Sequence, residues 1–296
     1  MIQYHISQPD LEQQLEQHKP GWLARAQQRT DLFAYLGYYE ESSSIWSEVK
    51  VVFMRIQKNK CAYCERKLES EEYGLVEHDL EHFRPKKKAK PWKLSTALRQ
   101  AGVVLTPPVA GNADPGYHLL AYNPLNYCTA CKSCNSSLKR DYFPIEGIRS
   151  PAGEDPVQLS SERPLLINPL GDYDDDPAML ISFHGLSPMA SGNTDYRKRR
   201  GLVSIAFFRL DDRRRKELFR ERASIIVSLH SFLKLADQAA NPAEKAVYEG
   251  LVELYTRPSA PHTNCALCYY HLYQTDKDEA EELFELATDY LRSISS

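Results

Sequence analysis

Cys61-Ala62-Tyr63-Cys64 and Cys131-Lys132-Ser133-Cys134 each place two thiols three residues apart. Each pair can set two thiolates on one tight turn, and two such turns supply the four soft ligands of a tetrahedral structural Zn²⁺. The loop they would close is long, but closure entropy grows only logarithmically with length. The alternatives are four unconnected buried cysteines or a redox pair; no βαβ pattern surrounds either CxxC. Cys128, three residues before Cys131, can compete as a ligand or lie buried as a small apolar side chain. His262, Cys265, Cys268 and His271 recur every third residue, on paper two thiolates and two imidazoles. Steps of three walk around an α-helix, so these four do not converge on one ion unless the backbone breaks. Two helical cysteines facing a core is the simpler reading.

Between the CxxC pairs, Glu77-His78-Asp79-Leu80-Glu81-His82-Phe83-Arg84-Pro85-Lys86 gathers imidazoles and carboxylates. Phosphodiester hydrolysis needs a base to activate water and a cation at the scissile phosphate. His82 can serve as the base. If the segment is a strand, Glu81 points to the opposite side and joins His82 at a metal only where the strand ends or twists; Asp79 is the fallback ligand. Taken alone, the segment reads equally well as a charged surface turn. Arg84, Lys86, Lys87, Lys88, Lys90 and Lys93 follow, with Trp92 among them. Such a run can track a phosphate backbone while Trp92 stacks on a base, or it can be a solvated loop. Two more basic clusters, Arg197-Lys198-Arg199-Arg200 and Arg213-Arg214-Arg215-Lys216, suit nucleic acid, an acidic partner or an ion-paired helix surface. The second is expected on a helix with Asp211 and Asp212 at its start.

Helical periodicity over residues 1–58, clearest at Trp46, Val49, Val52, Phe53 and Ile56, predicts a helical N-terminal segment. Residues 59–145 hold the chemistry, with a proline-containing basic inserted loop at 86–116, a short helix near 94–99 and an apolar strand at 117–122. Residues 146–296 begin with a connector rich in Pro, Gly and Asp and end in amphipathic helices, the last of them acidic and suited to protein contact rather than DNA. The chain has 296 residues, 42% of them hydrophobic, enough for a sizeable core. A net charge of −3 gives no global attraction for nucleic acid, so binding must be local. Seven cysteines, an odd number, argue against a disulfide scaffold. No apolar run suits a membrane span, and residues 1–10 are polar, so a cytoplasmic location is expected.

The order CxxC, Glu81-His82, Asn126, CxxC-Asn135, Lys139 resembles the HNH endonucleases. That resemblance implies a ββα-metal core in which His82 matches the base at the end of the first strand. Asn126 matches the structural asparagine, and Asn135 stands where other members have His or Asn on the following helix. Within that superfamily, Glu81-His82-Phe83-Arg84-Pro85-Lys86, Tyr122-Asn123-Pro124-Leu125-Asn126, Cys131-Lys132-Ser133-Cys134-Asn135 and Leu166-Ile167-Asn168-Pro169 with the acidic stretch 174–177 resemble the HNH proteins of retron and Septu anti-phage systems, the PtuB-like family. This implies a nuclease effector working with an SMC-like, ABC-type ATPase (PtuA-like), in some systems within a retron complex.

The expectation is an α+β, predominantly helical chain: a ββα-metal (HNH) core with structural zinc knuckles, embedded in helical N- and C-terminal segments. Zn²⁺ is assigned to Cys61, Cys64, Cys131 and Cys134. Mg²⁺ or Mn²⁺ is assigned to Glu81 or Asp79 with Asn135, and catalysis to His82, Asn126 and Asn135. Nucleic acid, DNA or RNA, is assigned to Arg84, Lys86, Lys87, Lys88, Lys90, Trp92 and Lys139. The rival expectation is a zinc-stapled adaptor whose nuclease motif is degenerate and whose helices contact the ATPase. A stand-alone restriction enzyme would need base-reading elements, and the sequence offers none.

Overall fold

The computed structural model describes residues 1–108 and 115–295. Ser7 takes the N–H of Asp10 on its hydroxyl and starts α1 (Gln8–His18). Gly37, at φ +77°, ends α2 (Trp22–Leu36) in the left-handed conformation that glycine adopts without strain. These helices fold onto α3 (Lys50–Ile56) around Leu11, Leu15, Trp22, Phe33 and Phe53, none of which is exposed. This N-terminal layer does not close on itself. Its core takes in Tyr122, Leu125 and Tyr127 from the middle of the chain, which joins it to the strands that carry the candidate site residues.

β1 (His78–His82) and β2 (Tyr127–Cys131) form an antiparallel pair in which Glu81 is opposite Cys128 and His82 opposite Tyr127. Every residue of β2 is buried, so Tyr-Cys-Thr-Ala-Cys is covered on both faces and shows no clean polar alternation. A wide, π-type helical segment, Ser133–Lys139, follows at once. The chain between the strands includes α4 (Thr96–Gln100), capped by Ser95, at the place expected for a short helix. Residues 109–114 of the inserted loop lie outside the described residues.

Residues 117–122, expected as a strand, are instead a tight helical turn at His118–Leu120, with the amides of Leu120 and Ala121 bonded back to Tyr117 and His118. The run is buried all round, so its hydrophobicity carries no period from which strand and turn can be told apart.

The connector is no surface linker. Leu165, Leu166 and Ile167 are fully buried beside the cysteines. After α5 (Pro177–Leu180) comes a hairpin of β3 (Ile181–His184) and β4 (Ser187–Ala190) that periodicity does not foretell, since four-residue strands are too short to display alternation. Arg200 of α6 (Asp195–Phe207) pairs with Asp174 and Asp175 and donates to the Leu166 carbonyl, fastening α6 onto the connector.

α7 (Lys216–Gln238), α8 (Pro242–Thr256), α9 (Thr263–Thr275) and α10 (Lys277–Ser295) complete a mostly helical chain around Ile226, Leu229, Cys265 and Ala280. Arg213, Arg214 and Arg215 precede α7 rather than lie on it. Asp212 takes the amide and guanidinium of Arg214 and holds a turn there. Among the described residues no helix is long and apolar enough to cross a membrane.

Candidate zinc cluster and catalytic site

The Cys61–Cys64 turn is tied to β2 by the Ala62 amide, 3.0 Å from the Thr129 carbonyl, while Cys131 ends β2 and Cys134 lies in the π-type segment. The four Sγ atoms lie within 4.8 Å of one another, with Cys64 and Cys131 3.9 Å apart, and none is in a disulfide. Sulfurs bound tetrahedrally at about 2.3 Å stand about 3.8 Å apart, so these residues fit Zn²⁺. An ion there would be structural, joining the first turn to the hairpin and the helix behind it. The Arg215 guanidinium, 3.7 Å from the Cys134 sulfur, brings positive charge to this cysteine cluster.

Cys128 turns away to the Tyr63 hydroxyl. The four-residue series near the C-terminus does not assemble. His262 binds Glu221, His271 is exposed, and Cys265 and Cys268 on α9 contact Gly185 and Phe183. Among the described residues the CxxC cysteines are the only such cluster of ligand side chains.

Alternation along β1 sends His82 to one face and Asp79 and Glu81 to the other. The His82 ring lies edge-on to Trp46 and Tyr127, centroids 5.1 and 5.0 Å away, and keeps 7% of its surface exposed. Its Nε2 is 3.0 Å from the Ala121 carbonyl oxygen. A carbonyl only accepts, so Nε2 carries the hydrogen and Nδ1 the lone pair. Burial holds the imidazole pKa well below its ordinary value, and the nearby Lys86 ammonium pushes the same way. Asn126 fixes the backbone beside it. Its Oδ1 accepts the Arg84 amide at 2.8 Å, and its Nδ2 donates to the carbonyls of Arg84 and Leu120 at 2.9 and 3.1 Å.

On the opposite face, the Lys139 ammonium lies 3.1 Å from Glu81 Oε1. The contact is an ion pair off the hydrogen-bonding direction, since Oε1 has no aligned donor. Burial raises the Glu81 pKa against the pull of Lys139. Asp79, half-buried, binds Lys132, Asn135 and Ser136. Burial would raise its pKa, but these donors outweigh that and lower it. Asn135 therefore meets Asp79, whereas the partner of Glu81 is Lys139.

The expected Mg²⁺ or Mn²⁺ does not fit on Oε1 of Glu81 beside the Lys139 ammonium. Magnesium binds oxygen at about 2.1 Å. An ion so placed on Oε1 stands at most about 5.2 Å from an ammonium 3.1 Å from the same oxygen. Repulsion between the two is then about 6 kcal/mol even at an effective dielectric of about 20. At Asp79 the carboxylate oxygens are already engaged by three internal donors.

The basic residues divide. Arg84 is buried and paired with Glu162, so it does not face a nucleic acid as expected, and Trp92 is partly buried on Phe207, 5.1 Å between centroids. Lys139 is buried on Glu81. Lys86 is half-buried with its ammonium 4.4 Å over the Trp46 ring, whereas Lys87, Lys88 and Lys90 are exposed, Lys90 against Asp141. The later basic cluster is largely consumed internally: Arg197 meets Asp175, Arg199 meets Glu146 and Arg200 meets Asp174. Sequence reasoning missed Trp46, the Ala121 carbonyl and Glu162. None carries a signal, because each reaches the site only through folding.

No protein-family model matches the chain, and no solved structure matches it. The chain is similar to the Septu protein PtuB of Bacillus mycoides (strain KBAB4), 32% identical over 195 residues, which are 65% of this chain and 54% of that protein. The chain thus spans about half the length of the curated relative it matches.

Proposed function

We propose that the chain is an HNH-type nuclease serving Septu-like anti-phage defence together with a PtuA-like ATPase, with His82 as its water-activating base. Similarity to a Septu protein supports the setting. The observation that carries the chemistry is the tethering of His82 Nε2 to the Ala121 carbonyl at the end of β1, beside an asparagine clasp and a cysteine-clamped hairpin. The antiparallel pair followed by a helical segment is the order an HNH core requires.

In this reading Nδ1 of the neutral imidazole takes the proton of a water whose oxygen bonds to the phosphorus of a nucleic-acid phosphodiester, as the bond from phosphorus to one sugar oxygen breaks and that oxygen leaves with a proton from solvent water. Lys86 and the exposed Lys87, Lys88 and Lys90 meet the phosphate charge. Arg84, Trp92 and Lys139 act from within. They position the segment rather than touch substrate.

A zinc-stapled adaptor is the second reading, favoured by the small exposure of His82 and by the Lys139 ammonium on Glu81. Plasmid nicking by purified chain, with Mg²⁺, Mn²⁺ or EDTA and with or without a PtuA-like ATPase, separates the two. Nicking that disappears in His82→Ala supports the nuclease. No cleavage of DNA or RNA under any of these conditions, with an intact zinc cluster, leaves the adaptor.

A further inference from the structure

Lys139 is the last residue of the π-type segment and has no exposed surface. Its ammonium approaches two oxygens from consecutive residues at the end of β1, Glu81 Oε1 at 3.1 Å and the His82 carbonyl at 3.4 Å. The backbone leaves it little room to withdraw. Arg140 follows at φ +45°, its amide bonded to the Asn135 carbonyl, and the Tyr142 amide is bonded to the Lys139 carbonyl at 2.9 Å. A carboxylate and a carbonyl converging on one point make an oxygen-lined cation site.

We infer that Lys139 is the resident cation of this site: its ammonium, tethered by the helix, neutralises Glu81 and keeps divalent metal off that carboxylate. This deepens the nuclease reading, on which it rests. At the base-bearing end of β1 the charge on Glu81 is then met by one fixed unit supplied by the chain itself, with the Lys86 ammonium nearby. Glu81 is only 5% exposed, and magnesium, which keeps several of its waters, needs room that a buried carboxylate beside a packed ammonium does not give.

The test titrates zinc-loaded, full-length chain with Mn²⁺ and reads free Mn²⁺ by electron paramagnetic resonance. Unaltered chain and Glu81→Gln are expected to bind Mn²⁺ equally, because Glu81 is no ligand. Lys139→Met, folded by zinc content and circular dichroism, is expected to bind at least about tenfold more tightly, and Lys139→Met/Glu81→Gln to lose the gain. Weaker Mn²⁺ binding in Glu81→Gln than in unaltered chain overturns the inference, as does a folded Lys139→Met that gains nothing. Should the variants not fold, Mn²⁺ broadening of amide NMR signals in the unaltered chain decides. Signals of residues 80–83 that stay sharp uphold it, and signals that vanish at low Mn²⁺ refute it. Because metal binding is the readout, an inactive chain leaves this test intact.

Discussion

His82 donates from Nε2 to the carbonyl oxygen of Ala121, and the Tyr127 hydroxyl donates to that same oxygen. Two donors on one acceptor fix the ring and its tautomer. The imidazole is held neutral by burial and by Lys86, so the acid limb of a pH–rate profile should lie below the ordinary imidazole value of about 6.5. His82→Ala should lower cleavage by about a hundredfold or more while zinc content is unchanged. An acid limb centred at or above the ordinary value would remove His82 as the base. The same depression acts on stability. The unfolded imidazole takes up a proton first as pH falls, so this contribution is complete above about 6.5 and is lost progressively below it.

The cysteine cluster predicts one zinc per chain, measurable by elemental analysis of protein purified without added metal. Cys64→Ser should lose that zinc and lower the midpoint of thermal unfolding, because the turn at 61–64 is then held to β2 chiefly by backbone hydrogen bonds. Cys128→Ser should keep the zinc, since its sulfur faces Tyr63. Loss of metal in Cys128→Ser alone would mean that the ligand set is wrongly drawn.

Asn126 makes three buried hydrogen bonds through one amide group. Asn126→Ala should destabilise the fold by about 1–3 kcal/mol, the cost of leaving buried backbone groups unpaired. It should also reduce cleavage, because the Leu120 carbonyl it holds precedes the Ala121 carbonyl that aims His82. Asn126→Asp keeps the acceptor for the Arg84 amide but loses both donors, and should rescue neither property. Denaturant unfolding and nicking rates on the same samples check this; full activity in either variant contradicts the positioning role.

Arg84 is buried and Trp92 partly buried on Phe207, whereas Lys87 and Lys88 are exposed. Arg84→Ala leaves Glu162 buried without its cation and should cost about 3–5 kcal/mol of stability. Lys87→Ala with Lys88→Ala should instead leave unfolding nearly unchanged and weaken nucleic-acid binding. On duplex DNA the slope of log affinity against log salt should shrink by about 0.9 for each phosphate that these lysines neutralise. Equal salt slopes in the double variant and the parent would take this loop out of the interface.

The cysteine cluster and the long C-terminal helices were legible in spacing, as CxxC pairs and apolar residues at helical period. The strand end at His82 followed from the HNH resemblance, since its own residues read equally well as a charged turn. The grouping of charges was not. Which carboxylate meets Asn135 and which meets Lys139 depends on the face of β1 from which each projects and on the pitch of a π-type segment, and neither is encoded locally. The partners of the basic residues were hidden for the same reason. Arg84 and Arg200 look like phosphate ligands in sequence, yet their counter-ions, Glu162 and Asp174, lie far along the chain. The hairpin of β3 and β4 and the helical turn at His118–Leu120 were missed because short or wholly buried elements show no period.

The chain departs from β1 after His82 and rejoins at β2 through Asn126, and the two ends of that excursion are stitched together where Phe83 N meets the Asn126 carbonyl oxygen at 2.8 Å. The described part of that excursion packs into the body of the chain: Leu98, Val103, Tyr117 and Leu120 join the core around the cysteines, and Tyr122 and Leu125 join the N-terminal one. Lys87 and Lys88 are exposed on this excursion, whereas Ala121, whose carbonyl aims the imidazole, lies within it close to the β2 end. In the nuclease reading, a graft that exchanged only the exposed surface at Lys87 and Lys88 would alter the grip on nucleic acid and keep the Ala121 carbonyl that holds His82.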